Sequence, residues 1–263
     1  MSTINRQFSL ALEALAELKA DDTAPPPSVQ PMPAAPTLSE VLGGIGPLPR
    51  DALLLGVASD GLPVLLNLRD PLPGPILVVG ETGAGKTTFL QTVAQSVVQS
   101  HDSNNVQYGV ITNHPDEWES VTATTHRVGL FSPDQTAAQD LILSLASWAH
   151  ANKNARQSVL LLIDDLEAVA NLEADTLQNF RWLLLRGPAR RVWPVITLNA
   201  EKYVQVVSWL QNFRTRIFGR IADEGAAGAL GADKTSAVDQ LEARIQFTLR
   251  ENGNWIRFWL PSF

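Results

Sequence analysis

Short apolar runs alternate with amphipathic stretches along the chain from residue 75 onward. The apolar runs have the length and composition of strands buried on both faces, and the stretches between them have helical periodicity. This alternation predicts an α/β domain with a mostly parallel central sheet and flanking helices. The predicted strands are Ile76–Val79, Val106–Thr112, Arg127–Phe131, Val159–Ile163 and Val195–Leu198, and the predicted helices include Lys86–Ser100, Asp134–Ala151 and Asp175–Leu185.

Two further pairs of apolar runs predict β-hairpins, one before this α/β region and one at the C-terminus. Asp-Gly and Asn-Gly dipeptides favour tight turns between strands, because glycine accepts a positive φ at no steric cost. The first pair is Leu53–Val57 and Val64–Leu68, joined at Asp60-Gly61, and the second is Ile245–Arg250 and Trp255–Leu260, joined at Glu251-Asn252-Gly253-Asn254.

The chain before residue 48 divides into two segments of different composition. Residues 1–20 carry apolar side chains at helical spacing, which predicts one amphipathic helix. Residues 21–47 are rich in Pro and Ala and are predicted to be a linker to the main domain, residues 48–263. The helix either packs on its own domain or docks residues 4–18 on a neighbouring subunit or another protein. Its apolar stripe consists of Ile4, Phe8, Leu12, Leu15 and Leu18.

Composition narrows the chemistry that this chain can perform. Its 263 residues suit one large domain with a small appendage, and the lack of cysteine excludes disulfides, thiolate metal sites and cysteine nucleophiles. The net charge of −7 excludes a basic surface over the whole protein of the kind that binds nucleic acid. A local basic face remains open, because residues 181–220 hold eight Arg or Lys and one acid, Glu201. No apolar run approaches the length of a bilayer span. We therefore predict a cytoplasmic protein without direct membrane insertion.

Residues 80–87 match the phosphate-binding pattern G-x-x-x-x-G-K-[ST] at every fixed position, between an apolar strand and a predicted helix. Glycines let successive backbone N–H groups point at phosphate oxygens, and the helix N-terminus adds its own N–H groups. Lys86 is predicted to reach the outer phosphates, and the Thr87 hydroxyl to ligate Mg²⁺. The predicted nucleotide-binding residues are Gly80, Thr82, Gly83, Ala84, Gly85, Lys86, Thr87 and Thr88.

A second acidic site follows the apolar run Val159–Ile163, which ends in Asp164 and Asp165. In P-loop NTPases an acid at this position holds the Mg²⁺ shell, and Asp164 is predicted to do so here. Asp165 is predicted to polarise the attacking water. The alternative is that Asp165 only caps the helix that follows it.

These motifs resemble those of the FtsK–HerA superfamily of P-loop motors. The first predicted hairpin, the segment Gly80–Thr87 and the run Asn212–Ile217 carry the likeness, together with the hairpin at the C-terminus. The resemblance implies a RecA-like P-loop ATPase core that binds ATP and Mg²⁺. It also implies a homo-hexameric ring in which each ATP lies between two subunits and the neighbour contributes an arginine.

Further site residues follow from the resemblance. Asn199 ends the strand Val195–Leu198, where the family places a polar sensor of the γ-phosphate, although an ordinary strand-to-helix turn also explains an Asn there. Arg216 and Arg190 are the leading predictions for the arginine finger. The other arginines considered are Arg186, Arg191, Arg214 and Arg220.

The resemblance implies a motor that moves double-stranded DNA through a central channel. Two alternatives stay open at this point: an ATPase that energises a protein secretion or assembly machine, and a slow, nucleotide-controlled assembly switch. The acidic balance and the tethered helix favour the first alternative. Asp165 supports the second, because relatives usually carry the longer Glu at this position.

Overall fold

The structure is a computed structural model that describes residues 36–119, 121, 124–151 and 156–263. The helix predicted within residues 1–20 and the predicted linker up to residue 35 lie outside the described residues. Within the described residues, the strands are β1 (Ala52–Ala58), β2 (Pro63–Asn67), β3 (Ile76–Gly80), β4 (Val106–Thr112), β5 (Arg127–Phe131), β6 (Ser158–Asp164), β7 (Val192–Asn199), β8 (Thr215–Phe218), β9 (Gln246–Glu251) and β10 (Asn254–Trp259). The α-helices are α1 (Leu38–Ile45), α2 (Lys86–Ser100), α3 (Thr136–Ala151), α4 (Leu166–Val169), α5 (Ala174–Arg186), α6 (Val207–Leu210) and α7 (Glu224–Ala229).

Ten strands of the described residues form one sheet in the order β2-β1-β10-β9-β8-β3-β7-β6-β4-β5. The strands from β8 to β5 are parallel, as expected for apolar runs connected by helices. The predicted hairpins, β1–β2 and β9–β10, are antiparallel and extend the sheet beyond β8. The predicted fold class, a RecA-like P-loop domain with a mostly parallel sheet, is therefore confirmed.

Helices cover both faces of the parallel half of the sheet. Because side chains alternate along a strand, Leu77 and Val79 of β3 face one core, which they share with buried residues of α3 and α5. Val78 faces the other core, together with Phe89 and Val93 of α2. The strand β3 is thus buried on both sides, and its carboxyl end is fixed firmly in the sheet.

Helix α1 lies inside the range 21–47 that the sequence analysis assigned to a linker, and it was not predicted. Thr37 and Glu40 form a reciprocal capping box at its start. Leu38 and Val41 pack against Leu54 of β1, and the Leu38 N–H donates to the carbonyl of Ser262 at 2.7 Å. Ordered structure therefore begins before residue 48. No helix in the described part of the chain is long and apolar enough to cross a membrane.

Candidate active site

The loop between β3 and α2 contains the glycine-rich motif. Gly83 and Gly85 have φ values of 79° and 94°, a region that side chains with a Cβ rarely adopt. A Cβ on Gly85 would lie 2.4 Å from the Cα of Arg244, whose N–H donates to the Ala84 carbonyl at 3.0 Å. The backbone before β9 thus holds this loop in place, and glycine is required where the two backbones meet.

The Lys86 ammonium lies over this loop. It donates to the carbonyl oxygens of Gly80 at 3.2 Å and Glu81 at 3.0 Å. Burial lowers the pKa of Lys86, and the nearby carboxylates of Asp165 and Asp164 oppose that shift. A lysine at this position of the motif is the group that reaches the outer phosphates of a nucleotide.

Asp164 ends β6 and is hydrogen-bonded on both of its carboxylate oxygens. The hydroxyl of Thr87 donates to Oδ2 at 2.7 Å, and the hydroxyl of Thr197 lies 2.6 Å from Oδ1. Burial raises the pKa of Asp164, whereas these two hydrogen bonds favour the charged form. The sequence analysis paired Thr87 with Asp164, and the structure brings them into contact.

Asp165 lies beside Asp164, and its Oδ1 is 2.6 Å from the same Thr197 hydroxyl. Although Asp165 occupies the N-cap position of α4, its side chain makes no capping hydrogen bond. The geometry therefore does not support the alternative that Asp165 is only a helix cap. Thr197 itself was missed by the sequence analysis, although it is a polar residue inside an otherwise apolar strand, two positions before Asn199.

Asn199 contacts the glycine-rich loop directly. The parallel register of β3 and β7 places it beside Gly80, and its Nδ2 donates to the Thr82 hydroxyl at 3.0 Å. Its Oδ1 accepts from the N–H of Glu201 at 3.2 Å. Asn199 thus makes the contact of a local turn and also reaches the glycine-rich loop. The two interpretations left open by the sequence, a turn residue and a sensor of the γ-phosphate, are therefore compatible.

These residues line a cavity of about 230 Å³. Because β4 and β6 are parallel neighbours, the loop after β4 reaches the same edge of the sheet. The sequence analysis did not predict that this loop contributes to the site. Glu167 and Lys202 were also missed, and they form an ion pair at the cavity. The lining residues are Thr82, Gly83, Lys86, Thr87, Asn113, His114, Glu117, Asp164, Asp165, Glu167, Asn199 and Lys202.

The two arginines predicted as fingers lie away from this cavity. The Arg216 guanidinium is half-buried and donates to the carbonyls of Leu230 at 2.6 Å and Leu210 at 2.8 Å. Arg190 precedes β7, at the opposite end of that strand from Asn199, roughly 25 Å along the strand at about 3.3 Å per residue. Neither reaches the site of its own chain, so any finger role is toward a neighbouring subunit and stays a prediction.

The AAA domain family matches residues 71–203, which is just over half of the chain. The chain belongs to the AAA domain family. This match covers the glycine-rich loop, both acids and Asn199, so the AAA domain holds the cavity described above. Through this domain the protein is an ATP-hydrolysing enzyme of the P-loop type. No curated protein matches the chain in a sequence comparison.

Solved structures share the fold of this AAA domain. ATPases 2 and 3 of EccC from Thermomonospora curvata, in complex with a signal sequence peptide, match with a TM-score of 0.70 at 14% identity, over 92% of this chain and 46% of that one. ATPases 2 and 3 of EssC from Geobacillus thermodenitrificans match with a TM-score of 0.68 at 14% identity, over 95% and 48%. The pCW3 conjugation coupling protein TcpA, solved with ATPγS, matches with a TM-score of 0.67 at 17% identity, over 89% and 71%. The chain spans about half the length of the EccC and EssC chains, and the likeness shows the fold alone.

Proposed function

We propose that this AAA domain is a motor of the FtsK–HerA type that uses ATP hydrolysis to act on a protein, in a secretion or assembly machine. The choice of a protein substrate over DNA rests on the contacts that the basic residues of the chain make. Most of the cations between residues 181 and 220 are engaged within the chain and are not presented as a free basic face.

The contacts of these cations are specific. Arg191 pairs with Asp51, Lys202 with Glu167, and Arg220 with Glu81, while Arg181 stacks on Trp209 and Arg216 donates to two carbonyls. Binding to duplex DNA depends on cations that are available to phosphates. A stretch whose charges are paired internally is therefore a weak DNA surface.

Apolar side chains are exposed on the same stretch. Val204 is 65% exposed and Val207 is 61% exposed, and both follow Asn199 in the segment that leaves the cavity. Exposed apolar side chains beside a nucleotide site suit contact with protein better than contact with a phosphate backbone. Together with the net charge of −7, they support a protein substrate.

A DNA-translocating motor is the second candidate. Arg186, Arg190 and Arg214 make no side-chain hydrogen bond or ion pair within the residues that the structure describes. If these arginines line a channel formed by several copies of the chain, an acidic protein still presents a positive path to DNA.

The two candidates differ in the effect of DNA on ATP hydrolysis. We expect the steady-state ATPase rate of the purified protein to be unchanged by duplex DNA at low salt, because few cations are free to bind it. The measurement compares rates with and without a duplex, each at low and high salt. Several-fold stimulation that disappears at high salt would reject the protein substrate and establish the DNA motor.

The residues of the cavity support distinct roles in hydrolysis. We assign the loop backbone and Thr88 to the phosphate chain, and the Lys86 ammonium to the outer phosphates. Asp165 is assigned to orient the attacking water, because only one of its carboxylate oxygens has a hydrogen-bond partner among the described residues. Asn199, which contacts the loop at Thr82, is assigned as the sensor of the γ-phosphate.

Thr87 and Asp164 fit the demands of a Mg²⁺ ion. Their side-chain oxygens lie 2.7 Å apart at the cavity, and Mg²⁺ prefers a few protein oxygens together with water and phosphate oxygens. When bound, the ion would neutralise charge on the β- and γ-phosphates. The Mg²⁺ concentration that gives half-maximal ATPase activity should rise in Asp164→Asn, and an unchanged value would reject this assignment.

Arg190 is the better of the two predicted fingers. Its guanidinium is unpaired within the described residues, whereas that of Arg216 is engaged by two carbonyls. We propose that Arg190 completes the site of a neighbouring subunit in a homo-hexamer. A finger of this kind contributes about 10³–10⁵-fold to hydrolysis in well-studied NTPases.

Subunit mixing tests the finger role of Arg190. Arg190→Ala and Lys86→Ala should each be inactive alone, since each lacks one half of every shared site. Mixed together, they should regain part of the wild-type rate, because some interfaces then combine two intact halves. A mixture as inactive as its components, or an active Arg190→Ala protein, would reject a role in trans.

A further inference from the structure

Thr197 lies in the interior of β7 and is fully buried. In this strand Val195 belongs to the core under α2, and because side chains alternate, Thr197 points to the same face. The register pairs Ile163 of β6 with Ile196, so Thr197 stands level with Asp164. A polar side chain at this position is therefore aimed at the two acids that end β6.

The Thr197 hydroxyl is 2.6 Å from Oδ1 of Asp164 and 2.6 Å from Oδ1 of Asp165. A hydroxyl carries one hydrogen, so it donates to one of these oxygens at a time. It is also the only side chain among the described residues that hydrogen-bonds to the carboxylate of Asp165. A single hydroxyl thus contacts both acids and can donate to either of them.

This contact belongs to a continuous set of hydrogen bonds around the cavity. Thr87, in the first turn of α2, donates to Asp164, and Thr197 contacts both Asp164 and Asp165. Two residues after Thr197, Asn199 donates to Thr82 of the glycine-rich loop. Strand β7 therefore contacts the two acids through Thr197 and the glycine-rich loop through Asn199.

We propose that Thr197 is a positioning residue for ATP hydrolysis, which sets the placement of Asp165 relative to Asp164. The inference rests on the roles proposed above for these two acids. Without the hydroxyl, Asp164 retains Thr87, but Asp165 loses its hydrogen-bond partner and is free to leave the orientation that directs water. The chemical step should therefore suffer more than nucleotide binding does.

The test compares Thr197→Val with Thr197→Ser. Valine keeps the branched shape that suits a buried strand and removes the hydroxyl, whereas serine keeps the hydroxyl. We expect kcat for ATP to fall by about 10–100-fold in Thr197→Val, as for other residues that orient groups around a metal site, with KM changed far less. Thr197→Ser should restore most of the rate.

Thr248→Val is the matched control. Thr248 is 1% exposed, lies in strand β9 and donates to a carbonyl of the neighbouring strand. It is not one of the residues that line the cavity. It should keep the wild-type kcat, while thermal unfolding and binding of a fluorescent ATP analogue confirm that all variants are folded.

Three results would overturn the inference. The first is a wild-type kcat in Thr197→Val while Asp165→Asn is inactive. The second is parallel loss of kcat and nucleotide binding that serine does not rescue, which would indicate a packing role. The third is full activity of both Asp164→Asn and Asp165→Asn, which would reject the proposed roles of the acids themselves and is distinguishable from the first.

Discussion

Lys86→Ala should abolish ATP hydrolysis and weaken ATP binding severely. The ammonium lies within 3.2 Å of two carbonyls of the glycine-rich loop, above the N-terminus of α2. Alanine removes the positive charge and its three donors from the place where the outer phosphates are proposed to bind. Loss of one preorganised donor to developing charge costs on the order of 10²–10³-fold in rate, and loss of a charge should cost at least as much.

The measurement for this variant is steady-state ATPase activity together with equilibrium binding of a fluorescent ATP analogue. Lys234→Ala provides the matched control, because Lys234 is an exposed lysine outside the cavity. The control should keep the wild-type rate and affinity. Near-normal hydrolysis by Lys86→Ala would contradict the assignment of the active site to the glycine-rich loop.

Patterns within a single element predicted the central fold well. β4 and β5 have the bounds expected from their apolar runs, and α2 has the bounds expected from its helical periodicity. β4 and one face of α2 are buried, and β5 is partly buried, so burial of apolar side chains gives each element a periodic pattern in the sequence. The glycine-rich motif was equally clear, because every fixed position of its pattern is matched.

Elements defined by contacts between distant segments were not predicted. β8 is only four residues long and includes Arg216, and it becomes a strand by pairing with β3 and β9. Helix α1 had a local signal, the capping box of Thr37 and Glu40, but the proline-rich composition before it masked that signal.

The residues of the candidate site divide in the same way, between those that a local pattern predicts and those that depend on contacts between distant segments. Lys86 and Thr87 were predicted from a motif with fixed spacing and Asp164 from the apolar run that it ends, and all three line the cavity. Thr197 was missed because its role depends on the order of strands, which places β7 beside β6. A finger role of Arg190 or Arg216 would depend on contacts between chains, which neither the sequence nor the fold of one chain determines.

Asp165→Asn should bind ATP with nearly normal affinity and hydrolyse it about 10²–10⁴-fold more slowly, the usual contribution of a general base. Asparagine has the same shape, and its Oδ1 can still accept the Thr197 hydroxyl, so the local geometry should be preserved. It carries no negative charge and cannot take a proton from water. Asp164 should not replace it, because its carboxylate, which accepts from the Thr87 hydroxyl, is assigned to the Mg²⁺ site.

Single-turnover hydrolysis measures this step directly, and binding of the ATP analogue measures affinity. Asp140→Asn, an exposed acid on α3 outside the cavity, is the matched control and should behave as the wild type. Slow turnover with retained binding would place the loss in the chemical step and support a water-orienting carboxylate. Unchanged turnover would show that the carboxylate charge of Asp165 is not needed, and the base would then have to be sought among the other acids that line the cavity, which include Glu167 and Glu117.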